Sequence, residues 1–453
     1  MRRRVIVAVV LVAELVIAAV LLPRFRPTAT APQRLLVGFP LDREPVPGWR
    51  LTTTDIGLPA DVPVGQPITT IGDHAYFLTG CAGDCKRGWV YGIDLKTGSR
   101  LFKSVLLDGF HYNSWYHDCY QNGPSVAVCV DNPAIEGQPG QVWVLDLDRG
   151  VVTYSGKTDL WQDNYRGFGP YIEAVGNPRG QTRMMASVAG KGVYGVGPRA
   201  ELTWFVPGSG HLVAPVFAVD DGTPVTLATQ IPTADDPRYR VFSVVDGTEK
   251  TPTPPPGTTL KRAIVYAGGF AYQYEAGNTV GVLFYDPAGQ QLARRELKNY
   301  NLMEATALPI VLDWPVFRVY SPDGREVATL PADLAHHKTP IFWAMANNLY
   351  LGWQEYPSLL ETWQQWNLDT GRPGSTCQRQ YPLTSYVGSD GRVVLLKHDE
   401  EPPAAALAVD LKTCETRWRI TQPGKQPGKR RIEQLGTALV DITADELVSL
   451  RAP

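Results

Sequence analysis

Charge of either sign is in short supply as a surplus: 43 basic residues against 45 acidic ones leave a formal net charge of −2 over 453 residues. Without a basic excess there is no long-range field to gather nucleic acid or an anionic membrane surface, so composition excludes a polyanion partner. Helical periodicity is missing too, since no stretch after residue 50 keeps a 3.6-residue apolar repeat for longer than a short helix. No phosphate-binding glycine loop, serine elbow or paired-carboxylate motif stands out. Cys81-Ala-Gly-Asp-Cys85 has neither a second CxxC-type pair nor a histidine cluster beside it, which argues for a disulfide over a metal site. No cofactor, metal or catalytic residue is expected. What is plentiful is 43 Gly, 38 Pro and an aromatic set of 12 Trp, 20 Tyr and 13 Phe, the composition of a folded chain of many short strands and turns.

One long hydrophobic run is present. Residues 5–22 are apolar except for Glu14, follow Arg2, Arg3 and Arg4, and end at Pro23. As a helix the run spans roughly 27 Å, close to bilayer thickness. The charge bias keeps residues 1–4 cytoplasmic and sends the chain after residue 26 outward, through a linker at 23–46. Ala29-Thr30-Ala31 has the form of a cleavage site, but Pro32 follows it, so a retained signal anchor is expected over a cleaved signal peptide. Glu14 then stands near mid-bilayer at a cost of roughly 2.5 to 3.5 kcal/mol, tolerated or relieved by contact with a membrane-protein partner.

Export places the six cysteines, Cys81, Cys85, Cys119, Cys129, Cys377 and Cys414, in an oxidising compartment. They allow fifteen connectivities, among which sequence proximity favours 81 with 85, 119 with 129 and 377 with 414.

The informative feature is a repeat. Val90-Tyr91-Gly92-Ile93-Asp94-Leu95-Lys96-Thr97-Gly98 is an alternating strand running into an Asp…Gly turn, with relatives at 142–150, 366–371 and 407–414. Weaker copies end at Asp246-Gly247, Asp286-Pro287-Ala288-Gly289 and Asp323-Gly324, and a doubtful one lies near Gly197-Pro198-Arg199. Turn positions at 94, 146, 198, 246, 286, 323, 369 and 410 are 52, 52, 48, 40, 37, 46 and 41 residues apart, the length of a four-stranded propeller blade. A stack of unrelated β-sandwiches would not share one turn phrase. An aromatic or basic segment often follows the phrase, as in Thr416-Arg417-Trp418-Arg419-Ile420. Gly48-Trp49-Arg50-Leu51-Thr52 has that look with no phrase before it, and residues 438–450 form a blade fragment lacking it, so the two chain ends are expected to complete one blade. The predicted fold is all-β: a single β-propeller over 47–453 of about eight four-stranded blades, seven to nine being possible, closed by N- and C-terminal strands and preceded by one transmembrane helix. The irregular stretch 150–260 accounts for the range, as one elaborated blade or two. Residues 251–257 read as a stiff connection between blades, and Cys414, standing where the turn glycine belongs, would staple its blade to the one carrying Cys377.

The phrase V-Y-x-I-D-L-K-T-G with its following W-R strand resembles the blade repeat of quinoprotein-dehydrogenase-like propellers, over roughly residues 48–450. That superfamily includes quinone-dependent dehydrogenases and exported non-enzymatic members such as the lipoprotein scaffold of the outer-membrane β-barrel assembly machine. The dehydrogenases hold their quinone between a tryptophan and a disulfide of adjacent cysteines; no adjacent cysteines exist here, so no catalytic residue carries over and the resemblance implies the non-enzymatic exported branch. By architecture the chain is also similar to anchored propellers that assist trehalose-mycolate transport, which implies a lipid-linked sugar as an alternative ligand.

Two clusters remain for a binding surface: His111, Tyr112, Trp115, Tyr116 and His117 between the first two repeats, and Trp161, Tyr165, Arg166, Phe168 and Tyr171 before the third. Aromatic groups with polar tips bury large area at low rotamer cost; packing under a disulfide-tied loop is the plainer alternative. His336-His337-Lys338, 398–401 and the basic stretch Lys425, Lys429, Arg430, Arg431 read as solvated loops. The expected role is a binding or scaffold module outside the cytoplasmic membrane, serving envelope assembly or transport through a membrane-protein partner or an envelope lipid or glycan; a small-ligand accessory of a transporter and a quinone-dependent dehydrogenase are the alternatives.

Overall fold

The structure is a computed structural model, described for residues 36–81, 86–112, 119–132, 138–162, 170–175, 183–213, 226–234, 237–298, 300–303, 308–332, 340–355, 360–379, 385–398, 404–421 and 430–453. The chain divides into two units, 1–30 and 31–453, and every described residue belongs to the second. The predicted anchor at 5–22, with Glu14, lies outside the described residues. Among those described, no helix is long and apolar enough to cross a membrane.

Nine separate antiparallel sheets follow one another along the chain. Blades 1 to 3 begin at the strands Gln66–Ile71, Cys119–Gln121 and Tyr171–Val175, and blade 4 at Leu212–Val213. Blades 5 to 9 begin at Thr258–Tyr266, Tyr300–Leu302, Ile341–Met345, Tyr386–Ser389 and Arg430–Leu435. Among the described residues eight sheets have four strands and blade 4 has three. The eight blades expected from the repeat are therefore corrected to nine. The stretch 150–260 holds two blades, of which blade 4 is reduced: after Arg240–Ser243 only an isolated bridge from Phe242 to Glu249 and a bond from Lys250 N to Val241 O mark where a fourth strand would pair. Residues 251–257 then connect blade 4 to blade 5.

The turn phrase explains why strands three and four of a blade meet. Asp94 Oδ1 accepts from the backbone N–H groups of Lys96 (2.9 Å) and Thr97 (2.8 Å), and Gly98 at φ 74° returns its N–H to the Asp94 carbonyl at 2.8 Å. These bonds, that from Thr97 foremost, hold the Asp94 carboxyl below its ordinary range. In blade 7 the same place is taken by Asn367, whose Oδ1 accepts from Asp369 N at 3.1 Å and Thr370 N at 2.9 Å, so the sequence position assigned to Asp369 shifts by two residues. In blade 8 Cys414 adopts φ 64° in the glycine's place and bonds to Cys377 on the fourth strand of blade 7, stapling neighbouring blades as expected. Cys119 and Cys129 are bonded between directly opposed positions of blade 2. Cys81 is disulfide-bonded as well, and Cys85 lies outside the described residues.

On three blades an aromatic at the start of the outer strand packs on the next blade's turn glycine. The Trp49 ring lies over Gly98 of blade 1, Phe102 over Gly150 of blade 2, and Trp204 over Gly247 of blade 4, each so close that a Cβ would sit within 3 Å of ring atoms. The glycine is thus required twice, for its positive φ and for the ring above it. Trp49 Nε1 donates to Leu95 O at 2.9 Å and Trp204 Nε1 to Val245 O at 3.1 Å, locking one blade's outer strand onto the next blade's turn.

Closure follows the expected plan. Val46–Thr52 is the fourth strand of blade 9, with Arg50 opposite Val448 and Leu51 opposite Leu447. A blade made from two chain ends has no third-to-fourth-strand turn, and the chain compensates with the segment before residue 46: Trp418 Nε1 of blade 8 donates to Leu41 O at 2.7 Å, as Trp49 does to Leu95. Leu41 is fully buried between blades 8 and 9, its N–H donating to Asp390 Oδ2 at 2.7 Å, while Val37 N donates to Ser389 O and Gly38 N to Thr437 O. The C-terminal end of the segment expected to be a linker is packed into the propeller.

Candidate functional site

The two aromatic clusters are anchored on one tripeptide. Gly80 and Gly88 oppose each other in blade 1, and a Cβ on them would stand 2.1 Å from the Tyr112 Cβ and 2.6 Å from the Phe110 ring; their bareness lets the segment after blade 1 fold down onto the blade. Phe110 is fully buried and meets Trp143 of blade 2 edge to face at 5.3 Å. The next residue, His111, turns outward, and both its N–H (3.3 Å) and Nδ1 (2.7 Å) reach Asp131 Oδ2 at the end of strand Val126–Asp131. Asn132 Oδ1 accepts from Gln162 N at 3.3 Å, and Gln162 Nε2 donates to the Val130 carbonyl. Val130, Asp131 and Asn132 thereby hold the beginnings of both clusters side by side.

The second cluster is closed at its neck by Trp161 N to Pro170 O (2.8 Å) and Ile172 N to Trp161 O (2.7 Å). Tyr171 does not point outward: it is buried and donates to Gly210 O at 2.9 Å, which makes it a brace between blades 3 and 4. Trp115, Tyr116, His117, Tyr165, Arg166 and Phe168 lie outside the described residues, as do His336, His337 and residues 399–401. Arg430 and Arg431, read as a solvated stretch, are instead on the first strand of blade 9, where Arg430 grips Asp441 with three bonds of 2.6 to 3.0 Å and Arg431 donates to Gly65 O at 2.5 Å.

Sequence reading passed over Glu173, two residues beyond Tyr171 on the same face of the first strand of blade 3. Ser187 Oγ donates to Glu173 Oε1 at 2.8 Å, but burial dominates and pushes the carboxyl up to about 7 against the bonds from Ser187 and Tyr171. Burial, with Glu173 next, also raises the Tyr171 phenol. The only sequence signal was an acid inside a strand otherwise apolar on both sides, Tyr171-Ile172-Glu173-Ala174-Val175. His111 with Asp131 is an oriented imidazole, and none of the described His, Cys, Asp and Glu side chains form a group of three able to hold a metal ion.

A nine-bladed propeller with one reduced blade is the class these features define. Residues 23–453 match the family described as the conjugation-associated 9-bladed β-propeller domain, and the chain belongs to that family. It is 32% identical over 444 residues to an uncharacterized protein of Mycolicibacterium smegmatis (strain MKD8), covering 93% of this chain and 88% of that one. Among solved structures it is similar to a europium-containing methanol dehydrogenase (TM-score 0.35, 10% identity, 87% of this chain and 84% of that chain). It is similar as well to BamB from Moraxella catarrhalis (TM-score 0.31, 10% identity, 90% and 97%).

Proposed function

We propose that the chain is a binding and scaffold module of a conjugation apparatus, held at the outer side of the cytoplasmic membrane by residues 5–22 and docking a membrane-protein partner on the outer wall of blades 1 to 4. One observation carries this. Among the described residues, Leu106 on the outer strand of blade 1, Val151 and Val152 on that of blade 2, and Leu202 and Phe205 on that of blade 3 are 37% to 46% exposed, and Val245 in the blade 4 turn is 53% exposed. The outer strand of blade 5 exposes one such side chain, Leu292 at 37%, and the outer strands of blades 6 to 9 show none among the described residues. Apolar groups gathered on successive blades of an otherwise polar rim suit a protein interface. The His111 and Trp161 neighbourhoods adjoin the same blades and extend the surface with polar aromatic contacts. The family description supports the cellular setting.

Site-specific photocrosslinking from position 202 or 205 in cells, compared with position 329 on the outer strand of blade 6, tests the reading. The expected outcome is one dominant membrane-protein adduct from blade 3 and the same adduct from a photocrosslinker at position 152 on the outer strand of blade 2, the latter lost in the Leu202→Asp, Phe205→Asp double variant while the protein remains folded. Equal labelling from both positions, or an adduct indifferent to the double variant, would defeat it.

A further inference from the structure

Blade 3 sets an acid without a paired cation against its joint to blade 4. Tyr171 stands directly opposite Ser187 on the first two strands, Tyr171–Val175 and Arg183–Val188, and Glu173 lies two residues beyond Tyr171 on the same face. Ser187 is fully buried, and its Oγ donates to Glu173 Oε1 at 2.8 Å. Among the described residues no charged side chain from any blade acts on the Glu173 carboxyl; the groups that do are two hydroxyls, Ser187 from the second strand and Tyr171 from its own.

The same tyrosine holds the connection to blade 4. Its hydroxyl donates to Gly210 O at 2.9 Å, and Gly210, at φ 75°, presses so closely on the strand of Ser187 that a Cβ would stand 2.3 Å from Val188 O. The rest of 208–211 is tied by Gly208 N to Lys191 O (3.0 Å), Gly190 N to Ser209 O (2.8 Å), His211 N to Ser209 Oγ (3.1 Å) and Gly210 N to Gln230 Oε1 of blade 4 (3.0 Å). None of these bonds answers to the charge of a side chain. The bond from Tyr171 does, because a phenol has one hydrogen to give and Glu173 is a second acceptor for it.

We propose that Glu173 is a proton-operated catch on the joint between blades 3 and 4: as a neutral carboxyl it leaves the Tyr171 hydroxyl to Gly210, and as a carboxylate it takes that hydrogen bond and frees the connection. A carboxylate shielded from water needs donors in place of the solvent it has lost, and beyond Ser187 the phenol is the donor at hand. The proton itself leaves to solvent, and only hydrogen bonds change partners. Burial raises the carboxyl to about 7, so the catch is shut in mild acid and opens as pH rises through neutrality. Tyr171 also ends the neck closed by Trp161 and Ile172, and Leu202 and Phe205 lie on the outer strand of the same blade, so the docking surface is held firm in acid and loosened in base. That consequence rests on the docking reading, whereas the catch does not.

Hydrogen exchange of the purified full chain, read by mass spectrometry over 208–211 between pH 5 and pH 9 and corrected for the intrinsic rate at each pH, tests the proposal without any partner. Its outcome is therefore independent of crosslinking from positions 202 and 205. Protection of the Gly208, Gly210 and His211 amides is expected to fall about tenfold between pH 6 and pH 8, as a group titrating near neutrality passes from mostly protonated to mostly ionised. In Glu173→Gln it stays at the acid level throughout, and in Tyr171→Phe it is low at every pH. Ser187→Ala, which removes the bond favouring the ionised form, moves the fall to higher pH and keeps the idea testable if Tyr171→Phe folds poorly. Equal protection at pH 6 and pH 8 in the unaltered protein, the same fall in Glu173→Gln, or a fall unmoved by Ser187→Ala would overturn the catch.

Discussion

Blades 8 and 9 and blades 3 and 4 share one plan and treat their carboxylates in opposite ways. At the closing seam Asp410, 1% exposed, receives two bonds from Arg417 (2.7 and 3.2 Å) and one each from Lys412 N and Thr413 N. Burial works upward on its carboxyl, yet those bonds outweigh it and hold the group at about 2. Asp441 is clasped by Arg430 in the same manner. In blade 3 Glu173 has only hydroxyl partners and no paired cation among the described residues, so burial wins and the carboxyl rises to about 7. At the seam Asp410 and Asp441 are each clasped by an arginine; where the repeat phrase decays, Glu173 has hydroxyl partners alone among the described residues, and Leu202 and Phe205 stand exposed.

The largest effect that would sharpen this contrast is expected at the seam. Arg430→Ala strands the buried Asp441 and should cost about 3 to 5 kcal/mol in denaturant unfolding; a cost below 1 kcal/mol would show that the seam does not depend on its ion pairs. Glu173 comes next, with the opposite sign. A carboxyl with a folded pKa above its unfolded value contributes stability that is full below about pH 4.5 and lost as pH rises through about 7. Glu173→Gln should therefore stabilise the protein at pH 8 by roughly 2 kcal/mol, discounted for partial exposure, and leave it nearly unchanged at pH 4. Thermal melts across that window check it, and a destabilised variant at pH 8 would instead assign Glu173 an ionised structural role. The smallest effect belongs to Phe205→Ser, which loses a stack on Tyr194 at 4.5 Å from a side chain already 45% exposed and should cost about 1 kcal/mol or less. If it cost as much as Arg430→Ala, the contrast between a stabilising seam and a surface held for binding would collapse.

Much of the fold was legible because the turn phrase is local chemistry. Asp94 bonds residues two and three ahead, and Gly98 must adopt positive φ, so the pattern survives in one dimension and even the substitution of Cys414 for glycine could be placed. The eight turn positions and the closing blade count to nine, but two units in the irregular stretch 150–260 could be merged into one, because blade 4 carries Ser243 where Asp94 stands in blade 1 and barely forms a fourth strand. Asn367 concealed the register of blade 7 because an amide accepts the same bonds as a carboxylate. The site was legible only as composition: aromatic residues near 111 and 161 were visible, whereas their meeting at Val130, Asp131 and Asn132 joins positions some 20 to 30 residues apart.

What could be read from the residues alone was therefore whatever depends on contacts within a few positions: strands, turns, the blade repeat and the incompleteness of both chain ends. What waited for the tertiary structure was whatever depends on how one blade faces the next. Trp49 over Gly98, Leu41 standing in for a missing turn and Glu173 raised by burial all arise from distances across a ring of sheets. No local pattern encodes those distances, because burial and proximity are properties of the packed chain and not of any residue in it.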